Sequence, residues 1–174
     1  RALMCGVNIF GENRVQEAKL KFVNKTKQSK IQLHLTGPLQ TNKVKQALGI
    51  FDVFHTLDRE KLLREFAKFP ETTAQKSFYI QVNTGKETSK SGVYPEDTQN
   101  FLKLCKVHKI NIDGLMCIPP INATPDKHFQ IINQLSRELG LGRPSIGMSN
   151  DYLTALKFDP KYIRLGTILF GKRL

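Results

Sequence analysis

Three consecutive blocks decide the fold: Val53-Phe54-His55-Thr56-Leu57, then Asp58-Arg59-Glu60-Lys61-Leu62-Leu63-Arg64-Glu65-Phe66-Ala67, then Phe78-Tyr79-Ile80-Gln81-Val82. The first and last are short and rich in β-branched and aromatic residues, the composition of strands. Between them Leu62, Leu63, Phe66 and Ala67 recur at three- and four-residue spacing, the apolar stripe of a helix. Asp58 ahead of Arg59-Glu60-Lys61 is a helix start signal. Strand, helix and strand within about 30 residues make a βαβ unit, whose two strands run parallel.

The same alternation extends outward in both directions. Upstream strand candidates are Val7-Asn8-Ile9-Phe10 and Ile31-Gln32-Leu33-His34-Leu35. Downstream ones are Ile112 to Ile118, Pro144-Ser145-Ile146-Gly147, and Tyr162-Ile163-Arg164-Leu165-Gly166. Helical spacing links Val15, Ala18 and Phe22, then Phe101, Leu102 and Cys105, then Phe129, Ile132 and Leu135. Pro95-Glu96-Asp97 and Pro125-Asp126 open helices with proline and acids in the first turn. Gly49 and Gly140 close helices. Strict alternation specifies an α/β protein with a parallel sheet of seven strands. An open doubly wound sheet and a (β/α)₈ barrel both satisfy it. No composition shift or long linker interrupts residues 1–174, so one domain is expected.

Composition narrows the function classes. The chain has 174 residues, 40% of them hydrophobic, and a net charge of +12. No apolar run approaches the roughly 18 residues of a membrane span. No charged-then-apolar leader is present, although the first residue is Arg1 rather than methionine. Cys5, Cys105 and Cys117 are far apart and form no C-x-x-C pair, which excludes a zinc knuckle or thioredoxin motif. Three reduced, mostly buried thiols in a cytoplasmic protein are expected. The positive charge admits a nucleic-acid-binding module as an alternative. The lysines are dispersed, however, and the densest group (Lys19, Lys21, Lys25, Lys27, Lys30) is expected on the solvent side of a helix and the loop after it.

In either parallel architecture ligands bind at the carboxyl ends of strands. The segments there are Gly11-Glu12-Asn13, Thr36 to Lys43, Met116-Cys117-Ile118-Pro119, Met148-Ser149-Asn150-Asp151 and Gly166-Thr167. Ser149 and Gly166-Thr167 offer hydroxyls and close-approaching backbone, which suit a phosphate. They fit equally well as an N-cap and a packing glycine. Arg164, inside an apolar strand, must face a ligand or an ion-pair partner. His34 and His55 lie within strands, as core residues or as catalysts. No metal-ligand spacing, G-x-S-x-G, P-loop or G-x-G-x-x-G fingerprint is present.

Six blocks in order resemble the pyridoxal-phosphate homeostasis protein family. Phe10-Gly11-Glu12-Asn13 with Val15-Gln16-Glu17 is similar to its F-G-E-N-x-V-Q-E, and His34 to Lys43 to its H-x-I-G-x-L-Q-x-N-K. Ser89-Lys90-Ser91-Gly92 is similar to its K-S-G loop, and Gly114-Leu115-Met116 with Ile118-Pro119 to G-L-M-x-I-P. Gly147-Met148-Ser149 with Asp151 matches G-M-S-x-D, and Arg164 to Thr167 with Phe170-Gly171 is similar to R-I-G-[TS]-x-x-F-G. The resemblance implies a (β/α)₈ TIM-type barrel like the N-terminal domain of alanine racemase, here lacking its first strand and most of its first helix. It implies a cofactor, pyridoxal 5′-phosphate, with Ser149, Gly166 and Thr167 on the phosphate and Arg164 near the pyridine nitrogen. Asn13 would lie near the ring, and His34 and Met148 would line the pocket. Enzymes that use the cofactor would be acceptors, and the role would be buffering rather than catalysis.

The family links its cofactor as a Schiff base to a lysine ahead of the F-G-E-N block. Residues 1–9 contain no lysine, and Arg1 to Gly6 resembles the tail of the first helix. The implied expectation is an N-terminally truncated member that holds the cofactor weakly or not at all. Smaller departures are Thr36 in place of isoleucine and Asp159-Pro160 in place of a glycine turn. A racemase on the same barrel is the enzymatic alternative. It needs a lysine base and an opposing tyrosine, and Tyr79, Tyr94, Tyr152 and Tyr162 stand in no racemase motif.

Overall fold

The computed structural model describes residues 2–22 and 31–171. A 3₁₀ turn (Ala2–Cys5) leads into β1 (Ile9–Glu12) and α1 (Val15–Phe22). Then follow β2 (Gln32–Leu35), α2 (Val44–Leu48), β3 (Val53–Leu57), α3 (Glu60–Ala67) and α4 (Pro70–Thr73). The second half contains β4 (Ser77–Gln81), α5 (Thr98–Val107), β5 (Ile112–Met116) and α6 (Pro125–Glu138). It closes with β6 (Ser145–Met148), α7 (Tyr152–Leu156), β7 (Tyr162–Arg164) and α8 (Thr167–Phe170).

All seven strands pair in parallel in the order of the chain, from β1 at one edge to β7 at the other. The sheet curls almost into a closed barrel. The His34 ring on β2 lies 4.8 Å from the Tyr162 ring on β7, five strands away. Among the described residues no ladder joins β7 back to β1. The β1 edge carries half-exposed Val7 and Ile9, so two strand edges keep unpaired backbone groups. The choice left open by the sequence is therefore settled in favour of the barrel.

Two faces of the sheet divide the labour. Leu33, Leu35, Phe54, Phe78, Ile80, Leu115 and Ile146 face outward and pack with Leu62, Leu63, Phe66, Phe101, Phe129 and Ile132 of the helices in one apolar cluster. Phe54, Phe66 and Phe78 form its aromatic centre, with ring centroids 4.9–5.2 Å apart. Each such side chain contributes about 1.5–3 kcal/mol when fully buried. The alternate residues point into the barrel, where His34, His55 and Tyr79 stack in turn and Tyr162 meets His34 and His55 edge-on. Gly114 makes room there, since a Cβ at this position would lie 2.7 Å from the Tyr79 ring.

Several boundaries differ from the sequence expectation for physical reasons. The first strand begins at Ile9, opposite Gln32, and runs on to Glu12. The fifth ends at Met116, because the Cys117 carbonyl is taken by Arg164 and Pro119 has no N–H to offer. The last ends at Arg164, and Gly166 instead caps α8. Residues 2–5 form a single 3₁₀ turn with no buried residue, a geometry common in the last turn of a helix. Cys105 and Cys117 are buried and Cys5 is exposed, all three unpaired. Lys19 and Lys21 are exposed, but Lys21 also reaches the buried Glu12 carboxylate at 2.9 Å. Lys25, Lys27 and Lys30 lie outside the described residues. Among the described residues no helix is long and apolar enough to cross a membrane, and no metal-binding cluster occurs.

Candidate functional site

The strand ends of β6 and β7 build one half of the rim. Met148 is in register with Arg164, which places Ser149 beside the Arg164-Leu165-Gly166 turn. The Ser149 Oγ accepts the amide of Gly166 at 3.2 Å and that of Ile168 at 3.3 Å. Ser149 therefore does not cap its own helix; the cap position of α7 belongs to Asp151. The Asp151 carboxylate turns back and accepts the Met148 amide at 2.6 Å, which fixes the loop. Gly166 is not a packing glycine either, for a Cβ there meets nothing within 4 Å. Its contribution is its amide. The packing glycine is Gly147, at φ +90°, where a Cβ would lie 2.6 Å from Ala155.

Arg164 has no carboxylate partner among the described residues. Its Nη1 donates to the Ser145 carbonyl at 3.0 Å and to the Ser145 hydroxyl at 2.7 Å. Its Nη2 donates to the Cys117 carbonyl at 3.0 Å. One guanidinium thus ties the end of β7 to the first residue of β6 and to the residue that follows β5. Burial lowers its pKa, while Cys117 and Asp151 act the other way; an arginine stays protonated through neutral pH regardless. The Cys117 thiol is pushed up to about 12 by burial and is inert.

The opposite half of the rim comes from β1 and β2. Thr36 donates its hydroxyl to the Asn13 side-chain oxygen at 2.9 Å. Gly37 lets the two loops touch, because a Cβ there would sit 2.3 Å from the Asn13 carbonyl oxygen. Asn13 is thereby held at the rim with its side chain exposed.

A polar chain crosses the interior beneath the rim. The Ser145 hydroxyl lies 2.9 Å from His55 Nδ1, and His55 Nε2 lies 2.9 Å from His34 Nδ1. His34 Nε2 is buried and unpaired among the described residues, a situation that costs about 1–3 kcal/mol. Burial lowers the His34 pKa to about 4, with the Asp52 carboxylate opposing. Burial, reinforced by His34 and Arg164, drives His55 well below the usual imidazole range. Both rings are neutral at pH 7.

Of the residues singled out by sequence, Met148, Ser149, Arg164, Gly166 and Thr167 meet on one side of the rim, and Asn13 stands on the other. His34 lies below, joined to Arg164 through His55 and Ser145. Ser145 escaped notice, although a serine one period-two step before Gly147 in an apolar strand is a visible signal. Tyr79 and Tyr162 lie in the interior stack, 5.8 Å apart.

No family model matches the chain. Curated relatives do. The pyridoxal phosphate homeostasis protein of Aquifex aeolicus is 36% identical over 181 residues, covering 97% of this chain and 78% of that protein. Its namesake in Vibrio cholerae is 35% identical over 187 residues, covering 99% and 78%. Among solved structures, PipY of Synechococcus elongatus without PLP superposes with a TM-score of 0.89 at 31% identity, covering 98% of this chain and 85% of that one. PipY with PLP bound gives 0.84. Alanine racemase of Acinetobacter baumannii, at 14% identity and a TM-score of 0.77 over 99% of this chain and 51% of its own, shares the fold. With more than a third of its residues identical over nearly its whole length, the chain belongs to the pyridoxal phosphate homeostasis protein family.

Proposed function

We propose that residues 1–174 act as one domain that binds pyridoxal 5′-phosphate at the rim and buffers it without catalysis. The observation that carries this is the Ser149 oxygen held by the backbone amides of Gly166 and Ile168, the two residues that flank Thr167 in the chain. Amides converging on one oxygen at a strand end, with hydroxyls alongside, are the donor set that a phosphate takes. Ser149, Gly166 and Thr167 would hold the phosphate. Arg164, always protonated, would face the pyridine nitrogen and keep it from accepting a full proton. Asn13 would flank the ring, and His34 and Met148 would line the floor. When bound, the cofactor supplies a reactive aldehyde on an electron-poor ring. An arginine facing that ring weakens it as an electron sink, which favours storage over chemistry.

The fit favours a carrier over a racemase. Burial raises the pKa of both interior tyrosines, Tyr79 and Tyr162, so both stay protonated at neutral pH and offer no ready base. Residues 1–9 contain no lysine, and for residues 1–174 taken by themselves the reading is of reversible, noncovalent retention. The proposal places the protein in the cytoplasm, with cofactor-requiring enzymes as acceptors and neither membrane nor nucleic acid as partners. The test is protection of the aldehyde. A stoichiometric amount of the protein is expected to slow the reaction of pyridoxal 5′-phosphate with a free amine, and to racemise no amino acid. Unprotected reaction, or turnover of any amino acid, would overturn it.

A further inference from the structure

The chain Arg164–Ser145–His55–His34 has only one consistent sense of donation. Arg164 donates to the Ser145 hydroxyl oxygen and can never accept. That hydroxyl therefore needs an acceptor for its own proton. Beyond Arg164, the side-chain partner of Ser145 among the described residues is His55 Nδ1, at 2.9 Å. His55 must present a bare Nδ1, so its proton resides on Nε2. The His55 Nε2–H then donates to His34 Nδ1, at 2.9 Å. His34 in turn carries its proton on Nε2, the buried atom without a partner. The opposite sense would leave the Ser145 proton without an acceptor and His34 Nε2 bare. Neutral imidazoles fit this scheme, and the fixed charge of Arg164 reinforces the neutrality of His55.

We propose that Ser145 and His55 are positioning residues that lock the Arg164 fork at the rim and, through the Ser145–His55–His34 relay, hold His34 Nε2–H as a hydrogen-bond donor for an acceptor atom of the bound ligand. His34 is almost fully buried at 4% exposure, so this donor faces the protein interior rather than bulk water. A ligand acceptor arriving there satisfies an existing deficit in the free protein. The link to ligand binding rests on the proposed pyridoxal 5′-phosphate site, whereas the sense of donation stands independently of it.

Long-range ¹H–¹⁵N correlation NMR on the unliganded chain reads the two imidazoles directly. Both His34 and His55 are expected as neutral Nε2–H tautomers at neutral pH. An Nδ1–H tautomer at His55 overturns the relay, whatever the ligand does. In Ser145→Ala, His55 is expected to lose its single tautomer, and Ser145→Thr is expected to restore it. Unchanged tautomers in Ser145→Ala overturn the proposal. Titration with pyridoxal 5′-phosphate then tests the link. The parent is expected to bind, with the His34 Nε2–H proton signal moving downfield, and Ser145→Ala to bind roughly tenfold more weakly. Binding with no change at His34 overturns the ligand role. Absence of binding by the parent overturns the site reading while the tautomer result stands.

Discussion

Arg164 donates from one nitrogen to both oxygens of Ser145, the carbonyl at 3.0 Å and the hydroxyl at 2.7 Å. With Nη2 on the Cys117 carbonyl, this makes the side chain a clamp across β5, β6 and β7 at an open sheet edge. A lysine is a point charge and cannot span these acceptors as a planar fork does. Arg164→Lys is expected to cost about 2 kcal/mol of stability. That corresponds to about 4–8 °C in Tm for a domain of this size. Thermal unfolding monitored by circular dichroism checks it; an unchanged Tm would show that the clamp is incidental.

Ser149→Asp separates binding from stability. A carboxylate placed there accepts the same Gly166 and Ile168 amides but repels a phosphate. Stability is expected to stay within about 0.5 kcal/mol of the parent. Affinity for pyridoxal 5′-phosphate is expected to fall at least about tenfold. Denaturant melts and calorimetric titration measure the two quantities side by side.

The buried histidines set an acid limit. Their native pKa values lie below the ordinary 6.5, His34 at about 4 and His55 well below 6.5. As pH falls, the unfolded chain takes up their protons first. Stability is therefore full above about pH 6.5 and declines towards about pH 4, by about 1.4 kcal/mol per pH unit for each imidazole. Urea midpoints between about pH 7 and about pH 5 should show this slope. His55→Gln should reduce it by about one proton; an identical slope would mean that His55 does not titrate in this window.

Two glycines should respond in opposite ways. Gly37→Ala forces a Cβ against Asn13 backbone atoms at 2.3, 2.7 and 2.9 Å. It is expected to cost about 1–3 kcal/mol, as overpacking does, and to displace Asn13. Gly166→Ala meets nothing within 4 Å and has φ −113°, open to any residue. Its unfolding free energy is expected to stay within about 0.5 kcal/mol of the parent. Paired denaturant melts decide both.

Much of the fold was legible in local periodicity. Val53–Leu57 and Leu62, Leu63, Phe66 and Ala67 identify themselves by spacing alone, and α3 and β3 lie where that spacing puts them. The helices α4 and α8 were missed, because four residues hold too little of a 3.6-residue period. The sequence brought Ser149 and Gly166 to attention as strand-end residues but left their roles open. Register resolved them, by showing which amide meets which hydroxyl. The Ser145–His55 contact joins residues 90 apart, and only the curl of the sheet across the interior brings them together. Such a contact leaves no local trace in the chain.

The most direct test of the account is equilibrium binding of pyridoxal 5′-phosphate compared with pyridoxal, which lacks the phosphate. The account predicts one saturable, reversible site per chain, at least about tenfold tighter for the phosphorylated form. Borohydride treatment should then leave no single lysine stoichiometrically labelled. Equal affinity for the two compounds, no saturable binding, or one lysine trapped in full would contradict it.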